Sequence, residues 1–208
     1  MGELTTASYV LGIAHNTGYP LYILLGKLFT LFPIGDVAYR VNPISAVFAS
    51  LTVSFIFLII VELTRNRAAA LIGALTVAFS STLWANANWA DSYSLNAFST
   101  TLVTWLLLRW RTTGQVWYLR LTVLAFGLSI GNHRLIVVPA PGILLFLWSA
   151  RRRLSTGHWL HLAFLFLLGL SVYLYLPIRG SQGASAELGP ARRSQHVLAH
   201  VPHRGQRE

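Results

Sequence analysis

The chain has no cysteine, and only 6 of its 208 residues are Asp or Glu. The absence of thiols excludes a disulfide framework and a thiolate metal site, and it removes cysteine as a guide to redox compartment. Charge of either sign is scarce: 11% of the residues are charged and 54% are hydrophobic, with a mean hydropathy of +0.56. A composition so poor in charge belongs to a polytopic membrane protein. Met1-Gly2-Glu3-Leu4 lacks a basic stretch followed by an apolar core, so no cleavable signal peptide is expected. The length suits one membrane domain of several spans and falls short of a second large folded domain. Lys and Arg number 16 and set a net charge of +10. In a soluble chain that would suggest nucleic acid; here the positions of the charges report topology, and no nucleic-acid partner is expected.

What is present is a series of apolar runs. Leu21 to Phe32, interrupted by Gly26-Lys27, is too short to span and suits an interfacial or re-entrant helix bounded by Pro20 and Pro33. Asn42 to Leu63 is the first full span, with Pro43 in its first turn and Glu62 and Arg65 at its far end. Ala68 to Leu83, Tyr93 to Leu108, Val116 to Ile130, Leu135 to Ala150 and Trp159 to Leu176 follow, and Pro177 is expected to end the last. The predicted fold is all-α: a membrane helix bundle of about six spans with an N-terminal interfacial segment over 1–179, then a polar tail over 180–208 expected to be disordered. Runs of about 15 to 16 residues rise roughly 23 Å, short of a hydrocarbon core near 30 Å. Asn132-His133, between two such runs, is therefore expected below the membrane surface, against protein or a wet cavity. Pro139 and Pro141 are expected to kink the following helix, and Gly127, Gly131 and Gly142 to permit close helix approach.

Basic residues fall on alternate connections: Arg65 and Arg67, then Arg109, Arg111 and Arg120, then Arg151, Arg152 and Arg153. Assigning those loops to the cytoplasm sends the Glu3–Tyr39 segment, the Asp91 loop, the Asn132-His133 loop and the Pro177-Ile178-Arg179 exit to the outer side of a multi-pass plasma-membrane protein. Scarce polar groups from distant parts of the chain then converge on one face. Asp91 stands out, because an acidic residue at the middle of a span costs roughly 2.5 to 3.5 kcal/mol to insert and marks a functional site by default.

Four blocks carry a family resemblance: Gly2-Glu3-Leu4 with Leu11-Gly12-Ile13-Ala14-His15-Asn16-Thr17-Gly18-Tyr19-Pro20-Leu21-Tyr22; Ala90-Asp91-Ser92-Tyr93-Ser94-Leu95-Asn96; Gly127-Leu128-Ser129-Ile130-Gly131-Asn132-His133; and Leu174-Tyr175-Leu176-Pro177-Ile178-Arg179. In order and spacing the chain resembles the bacterial polytopic proteins related to eukaryotic transmembrane protein O-mannosyltransferase, within the GT-C superfamily of membrane glycosyltransferases. It departs from the pattern at Asn16, where relatives carry Pro, at Asp91, where they carry Glu, and at Arg134, where an apolar residue is usual. The resemblance implies a GT-C-like fold and transfer of a sugar from a polyprenyl-phosphate carrier to a protein or glycan hydroxyl at the outer membrane face. It also implies an acidic residue just upstream of Gly2-Glu3-Leu4, which would precede Met1, and further spans beyond Arg179. The chain is therefore expected to be a truncated member.

Such a transfer needs a base for the acceptor hydroxyl and cationic or hydrogen-bonding support for the departing phosphate. Asp91 or Glu3 is the candidate base, with His133 a donor or proton shuttle. Arg134, Arg179 and Lys27 are candidates for the phosphate, since guanidinium binds phosphate oxygens bidentately and Lys acts as a point charge. His15 is a second imidazole candidate. Tyr19, Tyr93 and Asn132 stand in the motif blocks as candidate substrate contacts, and Asn96, one helical turn past Asp91, is placed to orient it. No metal-ligand spacing is evident, and a divalent cation remains open as a cofactor. Each residue has a plainer role: Asp91 as a helix cap, Arg134 and Arg179 as interfacial anchors, His133 as a packed, hydrogen-bonded helix residue. Trp105, Trp110, Trp117 and Trp159 read as belt residues, and His196, His200 and His203 as part of a solvated tail. Two other functions compete: a transporter with Asp91, His133 and Arg134 along its path, or a catalytically incomplete fragment or membrane scaffold.

Overall fold

The computed structural model describes residues 2–15, 18–151 and 154–181, and among these the regular structure is helical. The order is α1 (Gly2–Val10), α2 (Pro20–Thr30), α3 (Val37–Val41), α4 (Pro43–Thr64), α5 (Arg67–Ala78), α6 (Ser81–Ala87), α7 (Ser92–Thr113) and α8 (Val116–Ile130). A 3-10 turn over Arg134–Val137 leads into α9 (Ala140–Ala150); α10 (Thr156–Leu170) passes through a second 3-10 turn, Ser171–Leu174, into α11 (Tyr175–Ser181). Of the tail expected from 180 onward, only Gly180 and Ser181 are described, and they continue α11; the remainder, with Arg152 and Arg153, lies outside the described residues. Pro177 does not end the last run. It sits in the first turn of α11, where its missing N–H has no helical partner to lose.

Two helical stretches are long and apolar enough to cross a membrane, Val37–Thr64 and Thr156–Ser181; α5 and α6, bent by 61°, make a third if counted as one span. The Ala68 to Leu83 run is thus two helices, because Ser80 caps α6 by accepting from the Leu83 N–H and restarts the chain in a new direction. α7 has 22 residues, but its Ser-Tyr-Ser-Leu-Asn start and Arg-Trp-Arg end dilute its apolar character. α8, with 15 residues, and the Arg134–Trp148 stretch are apolar and short.

Contacts fix the relative directions of the helices. Ser45 near the start of α4 meets Asp91 before α7, and Glu62 near the end of α4 meets Arg109 near the end of α7, so these helices run parallel. α8 returns antiparallel to α7, bringing Asn132 back to Ser92 at the α7 start. α10 runs parallel to α8, with Phe126 stacked near Phe166 and the Tyr173 hydroxyl donating to the Ile130 carbonyl. Asp91, Asn132, His133 and Tyr173 therefore share one end of the bundle, and Arg65, Arg109 and the start of α8 share the other.

The α8–α10 crossing is a glycine contact. A Cβ at Gly127 would lie 2.8 Å from the Phe166 carbonyl oxygen, and one at Gly169 2.8 Å from both the Leu124 oxygen and the Leu128 nitrogen. Gly131 is similarly crowded by Val172. Gly142 is not: nothing stands within 4 Å of its missing Cβ, because this face of α9 has no helix against it. Towards the Arg-rich end, Val103, Leu106, Leu107 and Trp110 of α7 pack with Leu119, Ile143 and Leu162. Towards the other end, Tyr22, Val41, Ile44 and Leu95 form a second buried cluster that seats α2 on the α4–α7 pair.

Candidate functional site

Asp91 is held by its backbone rather than its side chain. It occupies the N-cap position of α7 in an extended conformation, yet its carboxylate caps no backbone N–H. Ser45 instead clamps it from α4: the Ser45 hydroxyl accepts from the Asp91 N–H at 3.2 Å and donates to the Asp91 carbonyl at 3.3 Å. One carboxylate oxygen accepts a long 3.4 Å bond from the Ser92 hydroxyl. The Ser94 hydroxyl donates to the Asn86 carbonyl, tying α6 to the same corner. A half-buried carboxylate on a fixed backbone, with its acceptor capacity little used, is suited to take a proton or orient a hydroxyl.

His133 faces this corner from the far side. Its ring lies 5.2 Å from the Tyr93 ring and 6.1 Å from the Tyr19 ring, centroid to centroid. The Leu135 N–H donates to Nδ1, which leaves the proton of the neutral imidazole on Nε2. Burial pushes the His133 pKa below its ordinary value; the Asp91 charge works against that shift and the Arg134 charge with it. His133 is thus a neutral donor near pH 7, with the exposed Arg134 next to it.

Tyr19 reaches the corner through a left-handed backbone, φ 44°, just after Gly18 at φ 75°. A left-handed non-glycine residue costs roughly 1–2 kcal/mol, a strain kept only where the surroundings enforce it. Here the enforcement is the Leu21 N–H bonded to the Gly131 carbonyl, which joins the start of α2 to the end of α8.

The other expected site residues have these partners. Asn132 is fully buried and donates from Nδ2 to the Ser92 carbonyl at 3.0 Å, which braces the α7 start. Asn96 does not orient Asp91 by a described bond; its Oδ1, like that of Asn132, is a buried acceptor without a partner among the described residues, which a water or a ligand hydroxyl would satisfy. Glu3 pairs with His15 at 2.6 Å. The His15 backbone N–H, helped by its ring, holds the Glu3 carboxyl below its usual range against partial burial. Lys27 donates to the Tyr9 carbonyl at 2.6 Å and sits over the Tyr9 ring. Arg179 donates to the Leu11 and Val10 carbonyls at 2.7 and 2.9 Å, while the Tyr175 hydroxyl donates to the Gly12 carbonyl at 2.9 Å. Lys27 and Arg179 thereby satisfy carbonyls at the C-terminal end of α1, where cations complement the helix dipole. Arg179 fastens the end of α1 to the last helix, and Lys27 fastens it to α2.

Sequence reasoning did not single out Ser45, Ser92, Tyr173 in the second 3-10 turn or Tyr175 at the start of α11. A small hydroxyl at the start of an apolar span is a weak signal, and nothing in the chain links Ser45 to a residue 46 positions away. Among the described residues no group of three His, Cys, Asp or Glu side chains is placed to hold a metal.

Residues 1–156 match the family described as the protein O-mannosyl-transferase TMEM260 N-terminal domain. The chain is 35% identical over 185 residues to a mouse protein named protein O-mannosyl-transferase TMEM260, the aligned part covering 85% of this chain and 26% of that protein. It is 27% identical over 202 residues to a Dictyostelium discoideum protein of the same name, covering 84% of this chain and 24% of the relative. The chain thus spans about a quarter of the length of these relatives. No solved structure matches it. With three quarters of its length inside the family's match, and with its polar motif residues drawn to one end of a helical bundle, the chain belongs to the protein O-mannosyl-transferase TMEM260 N-terminal domain family.

Proposed function

We propose that the chain forms the donor-handling part of a membrane glycosyltransferase that takes a sugar from a polyprenyl-phosphate carrier and passes it to a hydroxyl acceptor. In this reading Asp91 accepts the proton of the acceptor hydroxyl. His133 donates from Nε2 to the departing phosphate, and Arg134 supplies its positive charge. The observation that carries the reading is the clamp on Asp91: Ser45 takes up both backbone groups while the carboxylate stays uncapped beside a neutral His133. A helix cap alone would have spent that carboxylate on the α7 N–H groups.

The position of the cluster favours this over a transport path. Ser50, Thr52, Ser54, Thr76, Thr104 and Thr122, along the helix interiors, donate to carbonyls four residues back in their own helices. Polar bonds between distant elements gather at the helix ends instead. We place the Asp91 end at the extracytoplasmic face of the plasma membrane, the short runs completing about six crossings of a GT-C-like domain. Support comes from the Arg residues at the other end and from the brevity of α8, about 22 Å against a core near 30 Å.

The test is polyprenyl-phosphate mannose offered to the chain in nanodiscs. Binding is expected for the native chain and for Asp91→Asn, and is expected to fall at least tenfold for Arg134→Ala; transfer to a Ser/Thr peptide should vanish with Asp91→Asn. Binding indifferent to Arg134, or transfer surviving Asp91→Asn, refutes the assignment.

A further inference from the structure

The end of the bundle opposite Asp91 has no part in the chemistry above, and its charge is lopsided. The α4–α5 turn brings Arg65 and Arg67 there, the end of α7 Arg109 and Arg111, the start of α8 Arg120, and the end of α9 Arg151. Among the described residues the one carboxylate at this end is Glu62, 3.3 Å from Arg109 and 3.7 Å from Arg65, with a side chain only 8% exposed. Arg109 also reaches the Tyr118 hydroxyl at 3.4 Å. One carboxylate cannot neutralise six guanidiniums, and Arg67, Arg111 and Arg120 are exposed.

Three tryptophans stand at the same level. Trp117, Trp148 and Trp159 are exposed to 46%, 65% and 37%, and the Arg151 guanidinium lies 4.1 Å over the Trp148 ring. From there the flanks of α9 and α10 continue as exposed Leu144, Leu145, Leu160, Phe164 and Leu167. Aromatic rings at the margin of an apolar belt mark headgroup depth, and cations just beyond it meet lipid phosphates before they meet bulk water.

We infer that this Arg-rich end is a binding surface for anionic phospholipid headgroups. Arg67, Arg111 and Arg120 are its exposed contacts, and the Glu62–Arg109 pair is the brace that keeps the α4, α7 and α8 ends together. This goes beyond the transferase reading and does not depend on it.

The test offers the purified chain an equimolar mixture of phosphatidylglycerol and phosphatidylcholine in detergent and counts retained lipids by native mass spectrometry. A juxtamembrane Arg is worth roughly fivefold in anionic-lipid preference, so Arg67→Gln, Arg111→Gln and Arg120→Gln together should cut the preference about a hundredfold. The triple Arg→Lys variant should keep most of it, separating loss of charge from loss of fold. Arg40→Gln, at the other end, should leave it unchanged. Equal retention of the two lipids by the native chain overturns the proposal, as does a triple Gln variant that keeps the preference. Salt-labile nucleic acid retained by the native chain in place of lipid, and lost in the triple variant, overturns it too.

Discussion

Gly169→Ala is expected to loosen the site without touching it. The added methyl would lie 2.8 Å from the Leu124 oxygen, 2.8 Å from the Leu128 nitrogen and 2.9 Å from the Gly127 Cα. All three are backbone atoms, so no rotamer change relieves them, and contact at about 3.5 Å requires α8 and α10 to part by roughly 0.7 Å. Overpacking of this kind costs about 1–3 kcal/mol, roughly a 5- to 150-fold fall in the folding equilibrium. Gly142→Ala is the control of opposite sign: with nothing within 4 Å, it should gain about 0.5–1 kcal/mol from helix propensity alone. The assay is the thermal midpoint of both variants in one detergent, followed by the near-ultraviolet circular dichroism of their aromatic side chains. Gly127→Ala should resemble Gly169→Ala, and because the two sites touch, the double variant should fall short of the sum. A Gly169→Ala protein as stable as native, or as stable as the Gly142→Ala control, would refute the view that backbone contact sets the α8–α10 distance.

Four further outcomes follow from the polar ties and charges. Asn132→Ala removes the bond to the Ser92 carbonyl and should destabilise by about 1–3 kcal/mol, measured by unfolding, with faster hydrogen exchange at the start of α7. His133 titrates below 6.5 when folded, so the unfolded chain takes up its proton first; this contribution to stability is full above about pH 7 and is lost as pH falls through 6.5 towards the folded value. Asp91→Asn should lower the His133 pKa further and Arg134→Gln should raise it, both read by imidazole NMR; opposite shifts would contradict the geometry. Arg109→Gln leaves the nearly buried Glu62 carboxylate with Arg65 at 3.7 Å as its remaining ion-pair partner and should destabilise more than Arg67→Gln, by about 1–3 kcal/mol.

Much of this architecture is legible in the chain because helix ends are marked locally. Pro20 and Pro43 stand at the first turns of α2 and α4, and Gly114 closes α7 in the left-handed region. Val116 to Ile130 is predicted over the same residues that α8 occupies. The break at Phe79-Ser80 was not legible, because a Ser in an apolar run reads as tolerated until its hydroxyl is seen capping Leu83. The role of Gly142 was misread for a related reason: a glycine on a helix signals that a neighbour can approach, and only packing decides whether one does.

The candidate site shows the same division between local and non-local information. Asp91 and His133 could be singled out as ionisable groups beside apolar runs, which is a property of each residue and its neighbours. Whether a polar residue serves chemistry or the scaffold depends on where its bonds go, and those bonds reach 40 residues from Asn132 to Ser92, 46 from Ser45 to Asp91 and 168 from Arg179 to Leu11. Arg179 and Lys27 are candidate phosphate ligands as cations in the right segments, and the folded chain also sets each against carbonyls at the end of α1, which no local signal announces. That use has a consequence for the site. Arg179 and Tyr175 hold the Val10, Leu11 and Gly12 carbonyls, and Leu11, Tyr19 and Tyr175 share one packed cluster, so the last helix reaches the Tyr19 ring that borders His133. Arg179→Lys, which keeps the charge but loses the two-pronged grip, should therefore change the His133 titration as well as stability. An Arg179 acting only as an interfacial anchor would leave that titration where it was.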